Sequence, residues 1–299
     1  MISDVAKDHI KNISQLVSLV LASSKVKSIT IQERDREYNI RPQIHLLLRA
    51  NTGSLKSTIL SEVYRILRNN GYERVTKLDE ITRPGLVGTI DPKLMQYVEG
   101  AAWIYRNGII LFDEFRFKRK SEDWIAFLKL LEDQEYGRKI GFMSINRTDY
   151  DDDLYLVVQN GEIRLKTRFA AIVATMKRFE TASSDYFKAF INRCIPYEYN
   201  FTIQEIKEIL RGGNLLKLKE FKVDERIYID RDKYYKILDF VEENISKDIV
   251  GQENFARAVN DIVRVYAIVK RFDKDLFKKI IQWKTDVYGR IGIAIRGGD

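Results

Sequence analysis

The residues Ala50-Asn51-Thr52-Gly53-Ser54-Leu55-Lys56-Ser57-Thr58 follow the apolar run Ile44-His45-Leu46-Leu47-Leu48 and precede STILSEVYRILRNNG, where apolar residues recur at three-to-four spacing. In the order strand, loop, helix, backbone N–H groups at a helix N-terminus can face phosphates while a lysine reaches the outer ones and a hydroxyl binds Mg²⁺. Gly53 would supply the turn, Lys56 the charge and Ser57 the hydroxyl, with Asn51, Thr52, Ser54, Leu55 and Thr58 completing the nucleotide-holding loop. Ala50 and Leu55 stand where the strict pattern G-x-x-x-x-G-K-[ST] has glycine, so the loop alone does not decide. A second element does. Ile109-Ile110-Leu111-Phe112 followed by Asp113-Glu114 reads as a buried strand that delivers two carboxylates at its C-terminal end, where α/β sheets bind ligands. Asp113 would join Ser57 in holding Mg²⁺, and Glu114 would orient or deprotonate an attacking water. The chemistry implied is ATP hydrolysis.

These residues need a sheet to position them, and the sequence supplies its parts. SDVAKDHIKNISQLVSLVLASS has the period of an amphipathic helix behind Ser3, and VKSITIQ, REYNI and QIHLLLR read as short strands. YERVTKL and GIILFDEF continue an alternation typical of a mostly parallel α/β sheet. From Phe201 onward the β signals fade, and IQEIKEILR, RDKYYKILDFVEE, QENFARAVNDIVRVYAIVKRF and KDLFKKIIQWKTDVY are helical patterns. The expected organisation is an α/β nucleotide-binding domain over 1–200 followed by a small helical lid domain over 201–299.

The 299 residues are 45% hydrophobic, enough for a core, and no apolar stretch approaches the ~20 residues that span a bilayer. With no signal peptide in MISDVAKDHI, the expected location is cytoplasmic. Cys194 is the sole cysteine, so an internal disulfide is excluded, and with only His9 and His45 beside it a zinc cluster is excluded too. Lys and Arg exceed Asp and Glu by 51 to 43, a balance that suits a polyanionic partner.

Taken as a set, the motifs resemble the ATPase core of the minichromosome maintenance (MCM) helicases, from about residue 43 to 270. ANTGSLKSTIL resembles their Walker A, whose second glycine is also replaced, and EGAAWIYRNGIILFDEF resembles their Walker B approach. FLKLLEDQ is similar to the helix after Walker B, RFAAIVATM to the sensor 1 strand, FINRC to the arginine-finger segment and ARAVNDIVRVYA to the sensor 2 helix. The resemblance implies an AAA+ fold, ATP and Mg²⁺ as ligands, and a ring of copies, hexameric in that family, in which a finger arginine reaches the neighbour's γ-phosphate. Arg193 matches the finger and Arg257 matches sensor 2; the polar sensor 1 position falls at Thr175 or Met176, of which Thr175 can hold a water.

TRPGLVGTIDPKLMQYVEG takes the place of the family's helix-2 insert, and GRKIGFMSINRTDYDDDLYLVVQNGEIRLKTRF that of its pre-sensor 1 hairpin. QNGE is a hairpin turn. The other possible tip, Asp149-Tyr150-Asp151-Asp152-Asp153, is acidic and would repel DNA. Candidate DNA contacts are Arg138, Lys139 and Arg147, whereas the basic FRFKRK (115–120) reads as a solvated surface. The leading expectation is a motor that moves along, unwinds or remodels DNA, as in replication, with a protein partner able to supply DNA targeting. The alternatives are a MoxR-type protein remodeller from the same clade and a ring subunit that binds nucleotide with little turnover.

Overall fold

The computed structural model describes residues 3–296 apart from 34–35, 80–81, 92, 95, 114–120, 141–144, 180–184, 213–214 and 247–250. Helix α1 (Asp4–Ser24), capped by the Ser3 hydroxyl, is followed by β1 (Ser28–Glu33) and β2 (Arg36–Ile40). Strand β3 (Leu46–Arg49) leads through the Gly53 loop into α2 (Lys56–Asn69) and β4 (Val75–Leu78). A short excursion, α3 (Arg83–Val87), β5 (Thr89–Asp91), β6 (Gln96–Val98) and α4 (Ala101–Ile104), precedes β7 (Gly108–Phe112). Next come α5 (Ser121–Glu132), β8 (Glu135–Lys139), β9 (Arg147–Asp151), β10 (Leu154–Gln159), β11 (Glu162–Lys166) and β12 (Phe169–Thr175). The chain closes with α6 (Asp185–Asn192), β13 (Ile195–Glu198), α7 (Ile203–Arg211), β14 (Arg226–Ile229), α8 (Arg231–Asn244), α9 (Gln252–Val269) and α10 (Lys274–Arg296).

The central sheet is five-stranded and wholly parallel, in the order β13-β3-β12-β7-β4. Its inner strands LLLR, GIILF and FAAIVAT are buried at every position, because helices cover both faces and leave no solvated side to alternate with. The chain leaves β3, crosses to the far edge at β4 and returns to β13 on the other side of β3. That reversal puts a crevice at the C-terminal ends of β3 and β12, where Arg49 pairs with Thr175.

In the excursion expected to replace a helix-2 insert, β5 and β6 form a hairpin after α3. Gly88 (φ +92°) is required there: a Cβ would come within 2.1 Å of the Tyr97 hydroxyl and 2.7 Å of the Val98 carbonyl.

The predicted long hairpin is a four-stranded antiparallel sheet, β8-β11-β10-β9. Asn160 and Gly161, both at positive φ, make its β10–β11 turn as expected for Asn-Gly. The acidic tip between β9 and β10 lies at the opposite end, against the body of the protein. Asp151 pairs with Arg74 and Arg106, Asp152 with Lys27 (2.7 Å), and Asp153 with the buried Arg168 (2.9 Å). The carboxylates of the tip expected to repel DNA are thus neutralised where the hairpin is fastened down.

After Phe201 the helical reading holds, with one strand missed. β14 pairs parallel with β1, Ser28 opposite Arg226, to make a second, three-stranded sheet with β2. A fully buried Lys284 on α10 pairs with Asp261 on α9, which also accepts from Arg264 (2.7 Å). Asp261→Ala is expected to lower unfolding free energy by about 3–5 kcal/mol, because it strands a buried ammonium. Urea denaturation checks it; a loss below ~1 kcal/mol would mean that water or another group replaces the carboxylate.

Candidate functional site

The loop between β3 and α2 is shaped by two left-handed residues, Gly53 (φ +82°) and Leu55 (φ +61°, ψ 18°). Leucine there costs about 1–2 kcal/mol of backbone strain, which explains why glycine is the usual occupant. A Cβ on Gly53 would meet nothing within 4 Å, so the loop is open beside Gly53. The first N–H groups of a helix lie too early in the chain for an intrahelical acceptor, and those of α2 follow directly on this loop. Lys56 is buried, its ammonium donating to the carbonyls of Ala50 (2.9 Å) and Asn51 (2.7 Å). The loop is anchored at its start: the Asn51 N–H donates to Asn200 Oδ1 (2.9 Å), and Arg49 bridges Asn51 Oδ1 (3.0 Å) to Glu198, itself held by Arg290 (2.6 Å). The Ser54 N–H closes the turn on the Asn51 carbonyl (3.2 Å), and Thr58 faces solvent on the first turn of α2.

Asp113, directly after β7, receives a hydrogen bond from the Ser57 hydroxyl at 2.9 Å through Oδ1 and the Lys77 ammonium at 2.8 Å through Oδ2. Ser57 and Asp113 thus present two hard oxygen ligands side by side, the donor set that suits Mg²⁺ beside a phosphate. Lys77, on β4, was not singled out in the sequence, where a lysine in a short strand carries no distinguishing pattern. Glu114 and residues 115–120 lie outside the described residues.

Thr175 ends β12 beside the loop: its carbonyl accepts from the Ala50 N–H (3.3 Å) and its hydroxyl from the Lys177 N–H (3.1 Å). Met176 is the exposed neighbour, and its sulfur accepts a weak bond from the Thr52 hydroxyl at 3.4 Å.

The two arginines singled out in the sequence sit together, but not here. Both bind one carboxylate, Glu132 at the end of α5: Arg193 through Oε2 and Arg257 through Oε1 (3.0 Å). Arg193 precedes β13, whose first residue pairs with Leu46 at the start of β3. Asn200, which touches the loop, lies seven residues further on. At ~3.3 Å per residue that separation is roughly 20 Å, beyond the reach of an arginine side chain. Arg193 and Arg257 therefore occupy the N-terminal edge of the sheet, opposite their own phosphate loop. Burial pushes the Glu132 carboxyl up, and the two guanidiniums outweigh it, leaving Glu132 below the ordinary glutamate range.

Of the three DNA candidates, Arg147 is engaged by Glu99 and Asp149 (2.7 Å), and Arg138 is half-buried within reach of the Arg83 charge. Lys139 stays exposed at the far end of β8, opposite Glu162.

His45 and Cys194 lie in the core. His45 is buried and lends Nδ1 to the Ala171 N–H (3.1 Å), with its pKa held well below the usual value by burial and the nearby arginines. Cys194 is a buried free thiol. Among the described residues no group of three His, Cys, Asp or Glu side chains could hold a metal, and no helix is long and apolar enough to cross a membrane.

A parallel sheet that reverses direction at β3, with a Lys-Ser loop and an acidic β7 end at the reversal, defines a P-loop nucleotide-binding domain. Residues 4–139 match the family model of the MCM P-loop domain, so this stretch is an MCM-like AAA+ ATPase core. Thr175, Arg193 and Arg257 lie beyond the matched stretch. No curated protein matches the chain.

Proposed function

We propose that the chain is an MCM-like ATPase that works as a ring, hydrolyses ATP at sites shared by adjacent copies, and spends the cycle on moving along, unwinding or remodelling DNA. The observation that carries this reading is the division of the nucleotide machinery between two edges of one sheet. Lys56, Ser57 and Asp113 gather at one edge, Arg193 and Arg257 at the other, so a complete set forms only where two copies meet.

In this reading the N–H groups of residues 51–58 hold the phosphates and Lys56 leaves its two carbonyls to neutralise the outer ones. Ser57 and Asp113 would hold Mg²⁺, which when bound draws charge from the phosphate oxygens. Glu114 is the residue placed by sequence to take the proton of the attacking water, and Thr175 to orient it. Arg193 and Arg257 stabilise charge on the neighbour's terminal phosphate. Residues 201–299 serve as the lid, and Lys139 with Arg138 and Arg147 would face DNA. A hexamer follows the family's habit.

The second reading, a remodeller of proteins, is favoured by one observation: Arg147 is already neutralised and the acidic β9–β10 tip is tied down, which leaves Lys139 as the one fully exposed cation of the three DNA candidates. The ATPase rate with and without single- and double-stranded DNA separates the two. Stimulation of several-fold by DNA, falling steeply with salt, is the expected result; a rate indifferent to DNA at low salt sinks the DNA reading and leaves the remodeller.

A further inference from the structure

A groove runs along helix α1, and one of its walls is the stretch 215–221. That stretch is pinned to the helix by its backbone: the Lys217 N–H donates to Ser14 Oγ (3.2 Å) and the Lys219 N–H to Ser18 Oγ (2.8 Å). Ser14 and Ser18 stand about one turn apart on α1, ~6 Å by helical rise, so the chain from 217 to 219 runs extended, and the Lys217 and Lys219 side chains are exposed. The hollow beside it has a volume of about 590 Å³, and its apolar lining comes from Ile10, Ile209, Leu215, Phe221 and Val269. A second hollow of about 360 Å³ shares Ser18, Lys219 and Phe221 with the first and continues beside Lys25 and Tyr72. From Lys7 to Lys25 the two follow α1 for roughly five turns, ~27 Å.

The charges around the first hollow have one sign. Lys7, Lys11, Lys217, Lys219 and Arg271 line it and no carboxylate does, in a chain whose bases and acids stand at 51 to 43. Lys7 and Arg271 have the carboxylates of Asp4 and Asp273 (2.9 and 2.8 Å), whereas Lys11, Lys217 and Lys219 make no ion pair among the described residues. An apolar hollow rimmed by polar groups marks an interaction site. The occupant's chemistry follows from the lining: apolar groups in the middle, and anions on both sides of them, since the cations stand on α1 and on 215–221 alike. Nucleic acid would answer the lysines and leave the apolar lining uncovered. A fatty acid brings a single carboxylate to a groove with cations on both walls. A helix whose apolar stripe is flanked by carboxylates answers both walls and the lining, over the length of the groove.

We infer that the groove along α1 binds an acidic amphipathic helix of a partner protein. The inference stands apart from the nucleotide reading, whose residues line neither hollow.

The probe is a fluorescein-labelled helical peptide of about 18 residues, with leucines at i, i+3, i+4 and i+7 and glutamates on either side of them, titrated into the full chain and followed by fluorescence anisotropy. A shuffled peptide of the same composition, without the stripe, is its control. The striped peptide should bind with a dissociation constant of ~1–10 µM, at least ~10-fold tighter than the shuffled one. Lys11→Glu combined with Lys217→Glu should weaken it by about 10-fold, and Lys11→Gln combined with Lys217→Gln by less, both at the wild-type melting temperature because the two side chains are exposed. Equal binding of the two peptides would mean attraction by charge alone and overturns the inference. So does an unchanged affinity in both lysine variants, or no binding of the striped peptide at ~100 µM. Oligothymidylate that binds more tightly than the peptide and is weakened by the same variants would make the groove a nucleic-acid surface, and decanoate that displaces the peptide would make it a small-molecule site. A changed oligomeric state of the lysine variants on size exclusion would make it an interface between copies, and unfolding of both variants would make the lysines part of the framework. Each of these four results also overturns the inference.

Discussion

Arg193→Ala is expected to reduce ATP hydrolysis by ~10³-fold while each chain still binds nucleotide, the scale found for arginine fingers. The loss follows from placement. Arg193 lies at the sheet edge opposite its own phosphate loop, held to Glu132 and to the Ala189 carbonyl (2.7 Å). Removing it leaves Lys56, Ser57 and Asp113 untouched, so affinity is preserved. What would disappear, on the proposed shared-site reading, is charge stabilisation for a neighbour's reaction. Mixing Arg193→Ala with Asp113→Asn should restore part of the rate, since one interface in the mixed ring combines an intact loop with an intact arginine. Size-exclusion must show that copies exchange; exchange without recovery would mean that each chain works alone. Releasing Glu132 from one partner also has a stability cost, but a modest one, because Arg257 still pairs with it.

The second large effect is on binding. Lys56→Ala should weaken ATP binding by at least ~100-fold, because two charge-assisted hydrogen bonds to phosphate, each worth about 1.5–3 kcal/mol, are lost together. The lysine has a further role in the unliganded loop, where it ties the carbonyls of Ala50 and Asn51. Isothermal titration measures the affinity, and a melting curve separates lost phosphate contacts from a loosened loop. An affinity close to wild type would remove this loop from the nucleotide site.

How far the sequence can be read depends on the range of the interaction concerned. The strand-loop-helix around Lys56 and the strand ending at Asp113 were legible because burial on both faces leaves unbroken apolar runs, LLL and IILF, with the polar residues immediately after them. The MCM-like core was legible for the same reason. β14 was not, as its four residues RIYI are too short a run to establish a period and lie among helices. Nor was the pairing of Glu132 with two arginines 61 and 125 positions away. Such contacts arise from the way helices cross the sheet edge, and no local period records them. The acids of the β9–β10 tip make the same point: a run of carboxylates reads as a solvated or repelling surface until Lys27, Arg74, Arg106 and Arg168 are brought to it from four other segments.

The pairing of β1 with β14 has a bearing on how the chain comes to be folded at all. Ser28 and Arg226, which face each other in that ladder, are separated by roughly 200 residues. At 5–20 residues per second, a ribosome delivers the second strand about 10–40 s after the first. Until then β1 has β2 beside it, and a lone hairpin is marginal in water. Helix α1 waits as well, for part of its apolar side is completed by α9 and by β12. Helix α1 and strands β1 and β2 are thus secured long after they are synthesised, and a nascent chain halted near residue 200 would leave the β1 edge open to pairing with another such chain.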